Sequence, residues 1–271
     1  MEDIMKNKSF FEKFKNSIYN IREFPQYIRE GVGKAILYAL ILSIIVGGIK
    51  GITTTFTLSN DINLAIQTLE DDKYKFKIEN GTLDLVTSPL KIENGNTLIY
   101  LDDNMDISQS EELKNITVHL DSYILILKDG IVTNSEVMLG FSQAKYGDFL
   151  GGMIITNDNI IETLSLSSKL IYVIIPIIAI LETFMTLIMD ALIIATMLLL
   201  TNFIFKLGLR FSQLFSLTIY AATLPAILIL ILNIIVPNVY LDSVRVLGTF
   251  LYSFIVLRNM RSEIDENMNI Q

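Results

Sequence analysis

Apolar residues crowd into two regions of the chain, 35–58 and 170–257, while the stretch between them alternates like ordinary soluble protein. A helix needs about 20 consecutive apolar residues to cross a bilayer core. The first region meets that length with AILYALILSIIVGGI, followed by Lys50 and the threonines of GITTTFTL, and predicts a transmembrane helix over 35–58. Lys50, near the outer end, is expected to snorkel to the interface with its aliphatic stem in hydrocarbon. The second region is too long for one span. Residues 170–205 carry only two charges, Glu182 and Asp190. They read either as one long helix, bent near Pro176 or Glu182, or as a hairpin of two short ones. A third span follows over 215–236 with Pro225 inside it, then a turn at Pro237-Asn238. A fourth runs from about Val239 to Leu257, where Asp242 and Arg245 stand three residues apart on one helical face and can pair.

Upstream, Phe10, Phe11, Phe14, Ile18 and Ile21 recur at helical spacing, with the charges of residues 1–34 on the other face. This predicts a short amphipathic helix ended by Pro25. It lies on the cytoplasmic membrane surface or packs on the chain's own helices. No secretory cleavage is expected, because the apolar run starts late and no small-residue cleavage site follows it.

Residues 59–168 predict a separate strand-rich domain. In KYKFKI, Tyr74, Phe76 and Ile78 alternate with lysines, and Asn80-Gly81 supplies a turn before TLDLV. LKI leads through Asn94-Gly95 to TLIYL. NITVHL and YILIL, both read as strands, precede Asp129-Gly130 and IVT. Hairpins of this kind argue for a mainly antiparallel sheet, with helices over Asp61–Leu69 and near Ser142–Leu150 making the domain α+β.

Charge then orients the whole. Residues 59–168 hold 18 acidic residues against seven lysines, and the basic clusters lie elsewhere, in the first 34 residues, at Lys206 and Arg210, and at Arg258 and Arg261. The positive-inside rule places all three clusters in the cytoplasm if four helices cross. The expected fold class is therefore an α-helical integral membrane protein with four transmembrane helices and an inserted extracytoplasmic α+β, mainly antiparallel β, domain. Its divisions are a cytoplasmic amphipathic segment (1–34), transmembrane helix 1 (35–58), the outer domain (59–168), transmembrane helices 2–4 (169–257) and a cytoplasmic tail (258–271).

Composition narrows the chemistry. The chain has no cysteine, so disulfides, thiolate nucleophiles and Cys-based metal sites are excluded, and its single His119 rules out a multi-histidine metal cluster. A net charge of −8 argues against nucleic acid as a partner. The run Asp102, Asp103, Asn104, Asp106 lacks the spacing of a calcium loop. Asn80-Gly-Thr and Asn115-Ile-Thr match glycosylation acceptors by chance. No nucleophile-elbow, Walker or dinucleotide glycine pattern is present. No catalytic residue, cofactor or metal is expected, and an enzyme is disfavoured.

The candidate functional residues are polar groups among the apolar spans: Glu182, Asp190, Asn202, Tyr220 and Pro225. A carboxylate at membrane depth is costly and is usually kept for a pathway, a relay or a partner. Glu182 and Asp190 share one broad helical face, with Thr186 and Met189 near it, and desolvation would make either a proton carrier. In the plainer reading Glu182 sits at headgroup level and Asp190 is capped by a hydroxyl such as that of Thr186. Asn202, Tyr220, Thr223 and Asn233 would join helices by hydrogen bonds, and Pro225 would shape a kink. Gly47 and Gly51 form a G-x-x-x-G pattern that would let a neighbouring helix approach.

FFEKFKNSIYNIREFP, GKAILYALILSII and FSLTIYAATLPAILIL resemble a family of uncharacterised membrane proteins of Gram-positive bacteria, often labelled maltodextrin-utilisation proteins and distantly similar to Yip-like multispanning proteins. The resemblance implies a plasma-membrane location and an association with carbohydrate uptake, and no established activity. Three functions fit. The first is an accessory or scaffold protein whose partners are the lipid bilayer and other membrane proteins. The second is a small proton-coupled transporter using Glu182 and Asp190. The third is a sensor that binds a ligand through its outer domain.

Overall fold

The structure is a computed structural model and describes residues 8–94, 97–120, 122–134, 142–150, 152–236 and 241–269. The chain divides into two compact units, one formed by Met1–Phe56 with Tyr172–Gln271 and the other by Thr57–Ile171.

The first unit is helical. Helix α1, Phe10–Tyr19, starts at a capping box in which Ser9 Oγ accepts from the Glu12 N–H and the Glu12 carboxylate accepts from the Ser9 N–H. A 3-10 turn, Ile21–Glu23, leads to α2, Phe24–Arg29. Pro25 therefore begins the second helix and does not end the first. Its missing N–H belongs to the unpaired donors of a first turn, where proline costs nothing. The aromatic stripe packs on the chain's own helices: Phe10, Phe14 and Ile21 lie against the same core as Tyr38, Leu214 and Tyr220, while Phe11 is exposed. The expected all-polar opposite face is interrupted, since Lys13 and Ser17 are buried.

Helix α3 spans Val32–Glu70 without a break, so the separate outer helix expected over Asp61–Leu69 is the continuation of the first apolar segment. The other long helix, here α6, spans Asn157–Ile204 and continues through Pro176. Residues 170–205 are thus no hairpin, and the helix starts well before the expected boundary at 168. Helices α7, Phe211–Ala221, and α8, Thr223–Ile235, form one apolar run interrupted at Ala222. Pro225 has no N–H to offer the Ala221 carbonyl four residues back, and the helix breaks there. The last helix, α9, is Asp242–Asn269.

Among the described residues three helices are long and apolar enough to cross a membrane: Val32–Glu70, Asn157–Ile204 and Phe211–Ile235. Helix α9 is not among them, because Asp242 and Arg245 open it and its second half is polar. Of the expected fourth span, residues 239 and 240 lie outside the described residues, as does the Pro237-Asn238 turn, and the rest, from Asp242, forms the first part of α9.

The described residues of the second unit form eight strands. They are β1 (Phe76–Glu79), β2 (Thr82–Leu85), β3 (Leu90–Asn94), β4 (Thr97–Asp102), β5 (Ser122–Leu127), β6 (Gly130–Thr133), β7 (Gln143–Lys145) and β8 (Ile155–Thr156). One sheet has the order β2-β1-β8 and the other β3-β4-β5-β6-β7. Pairing is antiparallel except between β4 and β5, which run parallel with Leu98 opposite Tyr123. The Asn80-Gly81 turn forms as expected, with φ of 54° and 75°, left-handed values that asparagine and glycine tolerate. Gly95 lies outside the described residues. The next hairpin turns at Lys128-Asp129, one residue before the expected Asp129-Gly130, and Gly130 opens β6, where it is required: a Cβ there would stand 2.3 Å from the Ala144 carbonyl oxygen of β7.

NITVHL is not a strand. Lys114–Thr117 forms a helical turn, α4, at the end of a 3-10 segment, Ile107–Leu113, whose Ile107 and Leu113 cover Leu125 and Leu127 of β5. His119 is exposed beyond it. Near Ser142–Leu150 the chain forms β7 and then one helical turn, α5 (Tyr146–Phe149). Tyr146 is fully buried beside Ile78, Leu83 and Leu101, and its hydroxyl donates to the Leu127 carbonyl at 2.8 Å.

Candidate functional site: charges and hydroxyls among the apolar helices

The apolar helices of the first unit carry two carboxylates, and each meets a cation from another helix. Glu182 of α6 holds Lys50 of α3, with the ammonium 3.0 Å from both carboxylate oxygens. The two side chains remain 57% and 45% exposed. Lys50 is therefore an ion-pair partner and not a lone snorkelling lysine. Eight residues along α6, Asp190 is paired with Arg245 of α9, whose guanidinium also reaches Asp242 at 3.1 Å. Here both side chains are only 12% exposed. The pairing of Asp242 with Arg245 forms as expected, whereas Asp190 is held by a guanidinium and not capped by Thr186. Neither carboxylate is left without a counter-charge. The signal was present in the sequence: the apolar runs hold three acids, Glu182, Asp190 and Asp242, and two bases, Lys50 and Arg245, and burial favours such charges finding their opposites.

The G-x-x-x-G pattern sets the approach of α3 to α6. A Cβ at Gly47 would stand 2.7 Å from the Ala179 carbonyl oxygen, and one at Gly51 2.5 Å from Pro176 Cα. Those distances leave room only for hydrogen, so the helices meet backbone to backbone, and the Lys50–Glu182 pair closes over the contact.

The remaining candidates separate. Tyr220 is fully buried in an aromatic cluster, its ring 4.7 Å from Tyr38 and 5.2 Å from Tyr27. Thr223 Oγ1 donates to the Tyr220 carbonyl at 2.8 Å, and the Tyr38 hydroxyl donates to Thr223 Oγ1 at 2.7 Å. The Tyr220 hydroxyl itself meets no hydrogen-bond partner among the described residues, and neither do the Ser17 and Ser253 hydroxyls. Pro225 lies against Gly248 of α9, where an added Cβ would meet its ring at 3.5 Å. Asn202 joins no interhelical interior. Its amide clasps the turn after α6, donating to the Leu209 carbonyl at 2.9 Å and accepting from the Leu209 N–H at 3.0 Å. Asn233 is exposed. The sequence reading missed a buried pair beneath α1: Lys13 binds Glu30, their side chains 8% and 7% exposed, and Lys13 also stands over the Tyr27 ring at 5.8 Å.

In the second unit the acidic run is consumed by its own loop. Asp102 accepts from the Ser88 and Tyr100 hydroxyls and from the Asn104 N–H, and Asp103 accepts from the Leu85 N–H at 3.0 Å. Among the described residues no group of three His, Asp or Glu side chains is placed to hold a metal ion.

These features define a class: a largely helical protein in which, among the described residues, three helices are long and apolar enough for a bilayer, α3 and α6 being joined by one ion pair and α6 and α9 by another, with a strand-rich unit between α3 and α6 in sequence. The chain belongs to the family described as protein of unknown function DUF1189, whose model matches residues 11–258. No curated protein and no solved structure matches it.

Proposed function

We propose that this chain is a multispanning protein of the bacterial plasma membrane that acts as an accessory or scaffold for other membrane components, in association with carbohydrate uptake. In this reading α3, α6, the α7–α8 run and α9 each cross once. Both termini are cytoplasmic, and the strand-rich unit is presented outside. One observation carries the reading: the carboxylates among the apolar helices, which alone would suggest proton or substrate traffic, are both engaged by cations. Groups so engaged join helices. The surfaces left for function are then the acidic strand-rich unit and the exposed apolar helix faces, which suit partners more than a conducted solute. The sugar association rests on the maltodextrin label of the proteins that the amino-terminal and Tyr220–Pro225 motifs resemble.

The test has two arms. Single cysteines at Ser9, Asn115, Ser212 and Asn238 in the cysteine-free chain, probed on intact cells with an impermeant reagent, are expected to label at Asn115 and Asn238 only. Labelling at Ser212 overturns the four-crossing topology. Crosslinking in native membranes followed by purification is expected to recover a reproducible membrane protein, enriched in cells grown on maltodextrin. Recovery of nothing beyond background sinks the scaffold reading.

A further inference from the structure

Two corners of the helical unit meet at one cavity. The first leads from α2 into α3 through Gly31, whose φ of 92° suits glycine alone. The second leads from α6 into α7. There the Asn202 amide holds both backbone groups of Leu209, and the Gln213 side-chain oxygen accepts from the Arg210 N–H at 2.9 Å. Helix α2 packs on α7. Between the corners lies a cavity of about 260 Å³, lined by Arg29, Arg210, Ser212 and Gln213 beside Ile28 and Val32.

The charge of this cavity has one sign. Nearby lysines are matched by acids: Lys8 by Glu23, and Lys13 and Lys34 by Glu30. Glu30, next to Arg29 in the chain, is thereby engaged and almost fully covered. Arg29 and Arg210 have no acidic partner among the described residues, and no acid lines the cavity. Two like charges at one small space repel unless an anion lies between them. The positive ends of α3 and α7, which both begin here, add to that charge.

We propose that this cavity binds the phosphate group of a phosphomonoester. A guanidinium presents its N–H donors as a planar fork that fits the oxygens of a carboxylate or a phosphate in pairs. One such fork satisfies a carboxylate, which has a single charge and a single pair of oxygens. Here two guanidinium groups are joined by the Ser212 hydroxyl and by the Gln213 NH2, its oxygen being taken by Arg210. That set of donors matches a group with more oxygens and a second charge. Drug-sized ligands fill about 300–1,000 Å³, so this smaller space takes the phosphate end of its ligand and not a whole nucleotide. The phosphate comes from a soluble compound or from a lipid such as phosphatidic acid. In the membrane reading above, the cavity stands at the cytoplasmic surface, where basic pockets between helices hold lipid headgroups. The site itself does not depend on that reading.

The full-length chain in mild detergent provides the test. It is melted with inorganic phosphate against chloride at equal ionic strength, and with micelles carrying phosphatidic acid against micelles carrying phosphatidylcholine. A ligand of the folded chain raises its melting temperature with concentration, and at least one of the two phosphates is expected to do so. A rise with inorganic phosphate, with or without the lipid, marks a soluble source. A rise with phosphatidic acid alone marks a lipid. Arg29→Gln and Arg210→Gln should each raise the concentration needed about tenfold, and the two together should abolish the rise. Arg258→Gln removes an exposed arginine that does not line the cavity and should leave the rise intact. No rise with either probe overturns the proposal. So does a rise that survives in the double variant, or one that Arg258→Gln weakens as much as either cavity variant does. If the double variant fails to accumulate, the single variants decide. Failure to crosslink a membrane partner leaves each of these outcomes unchanged.

Discussion

Arg245, in the first turn of α9, reaches the Asp190 carboxylate of α6 from 55 positions away, and the two side chains are almost equally hidden. Asp242 shares the guanidinium from its exposed position. This makes the two halves of the pair unequal. Removing one partner of a buried ion pair costs about 3–5 kcal/mol because the other is left charged and uncompensated. Arg245→Leu strands Asp190 entirely and should fall at the upper end of that range. Asp190→Asn leaves Arg245 with Asp242 and an amide oxygen and should fall at or below the lower end. Thermal unfolding of the full-length chain in one detergent ranks the two. An Asp190→Asn loss equal to or larger than that of Arg245→Leu would show that the guanidinium, not the carboxylate, is the group left bare.

Helix α3 meets α6 through Gly47 and Gly51, while Gly48 faces open space. A methyl at Gly51 must displace the Pro176 backbone, and overpacking of that kind costs about 1–3 kcal/mol. Gly48→Ala meets nothing and gains helix propensity, so it should be neutral or stabilising by up to about 1 kcal/mol. Melting both variants beside the parent checks the contrast. Equal shifts would mean that the glycines serve helix flexibility and not the approach of the two helices.

The same contrast shows what the sequence could and could not disclose. The G-x-x-x-G spacing announced a close contact, and the runs around Ile41, Ile188 and Ile229 announced long apolar helices, because both features are local in sequence. The Asn80-Gly81 hairpin was legible for a similar reason, since its left-handed φ values select those two residues. What spacing cannot carry is the partner. Lys50 finds Glu182 over 132 positions, and nothing near either residue encodes that distance. The strand reading of NITVHL failed in the other direction. Its β-branched residues look extended, but Thr117 is drawn into a helical turn by packing, and its hydroxyl bonds back to the Leu113 carbonyl at 3.2 Å. Tertiary packing overrode a weak local preference.

The rings of Tyr38 and Tyr220 meet at a tilt with centroids 4.7 Å apart, but among the described residues only the Tyr38 hydroxyl is bonded. A buried hydroxyl without a partner costs about 1–3 kcal/mol, so Tyr220→Phe keeps the ring, removes that cost and should stabilise the chain. Tyr38→Phe deletes a donor whose acceptor, Thr223 Oγ1, keeps its own bond to the Tyr220 carbonyl. It should destabilise by about 1 kcal/mol. Opposite signs in a melting experiment are the expected result. A Tyr220→Phe chain less stable than the parent would show that the hydroxyl is bonded, through water or a ligand.

The strand-rich unit should record pH through Asp129. Burial alone would push this carboxyl up, but the Ile107 N–H at 2.8 Å and the Lys145 ammonium at 3.0 Å more than offset it, and the net shift is below the ordinary 3.8. A carboxyl depressed in the folded state contributes stability at pH values above its unfolded pKa. That contribution is lost as the pH falls through the folded value. Asp129→Ala removes the acceptor of the Ile107 N–H and should cost about 1–3 kcal/mol at pH 7. The gap should narrow as the pH falls below the ordinary 3.8 and close once the parent's own carboxyl gains its proton. Melting temperatures of both full-length chains between pH 3 and pH 7 measure the difference directly. A gap that stays constant across that range would mean that the Ile107 contact survives protonation and that the ion pair with Lys145 adds nothing to the fold.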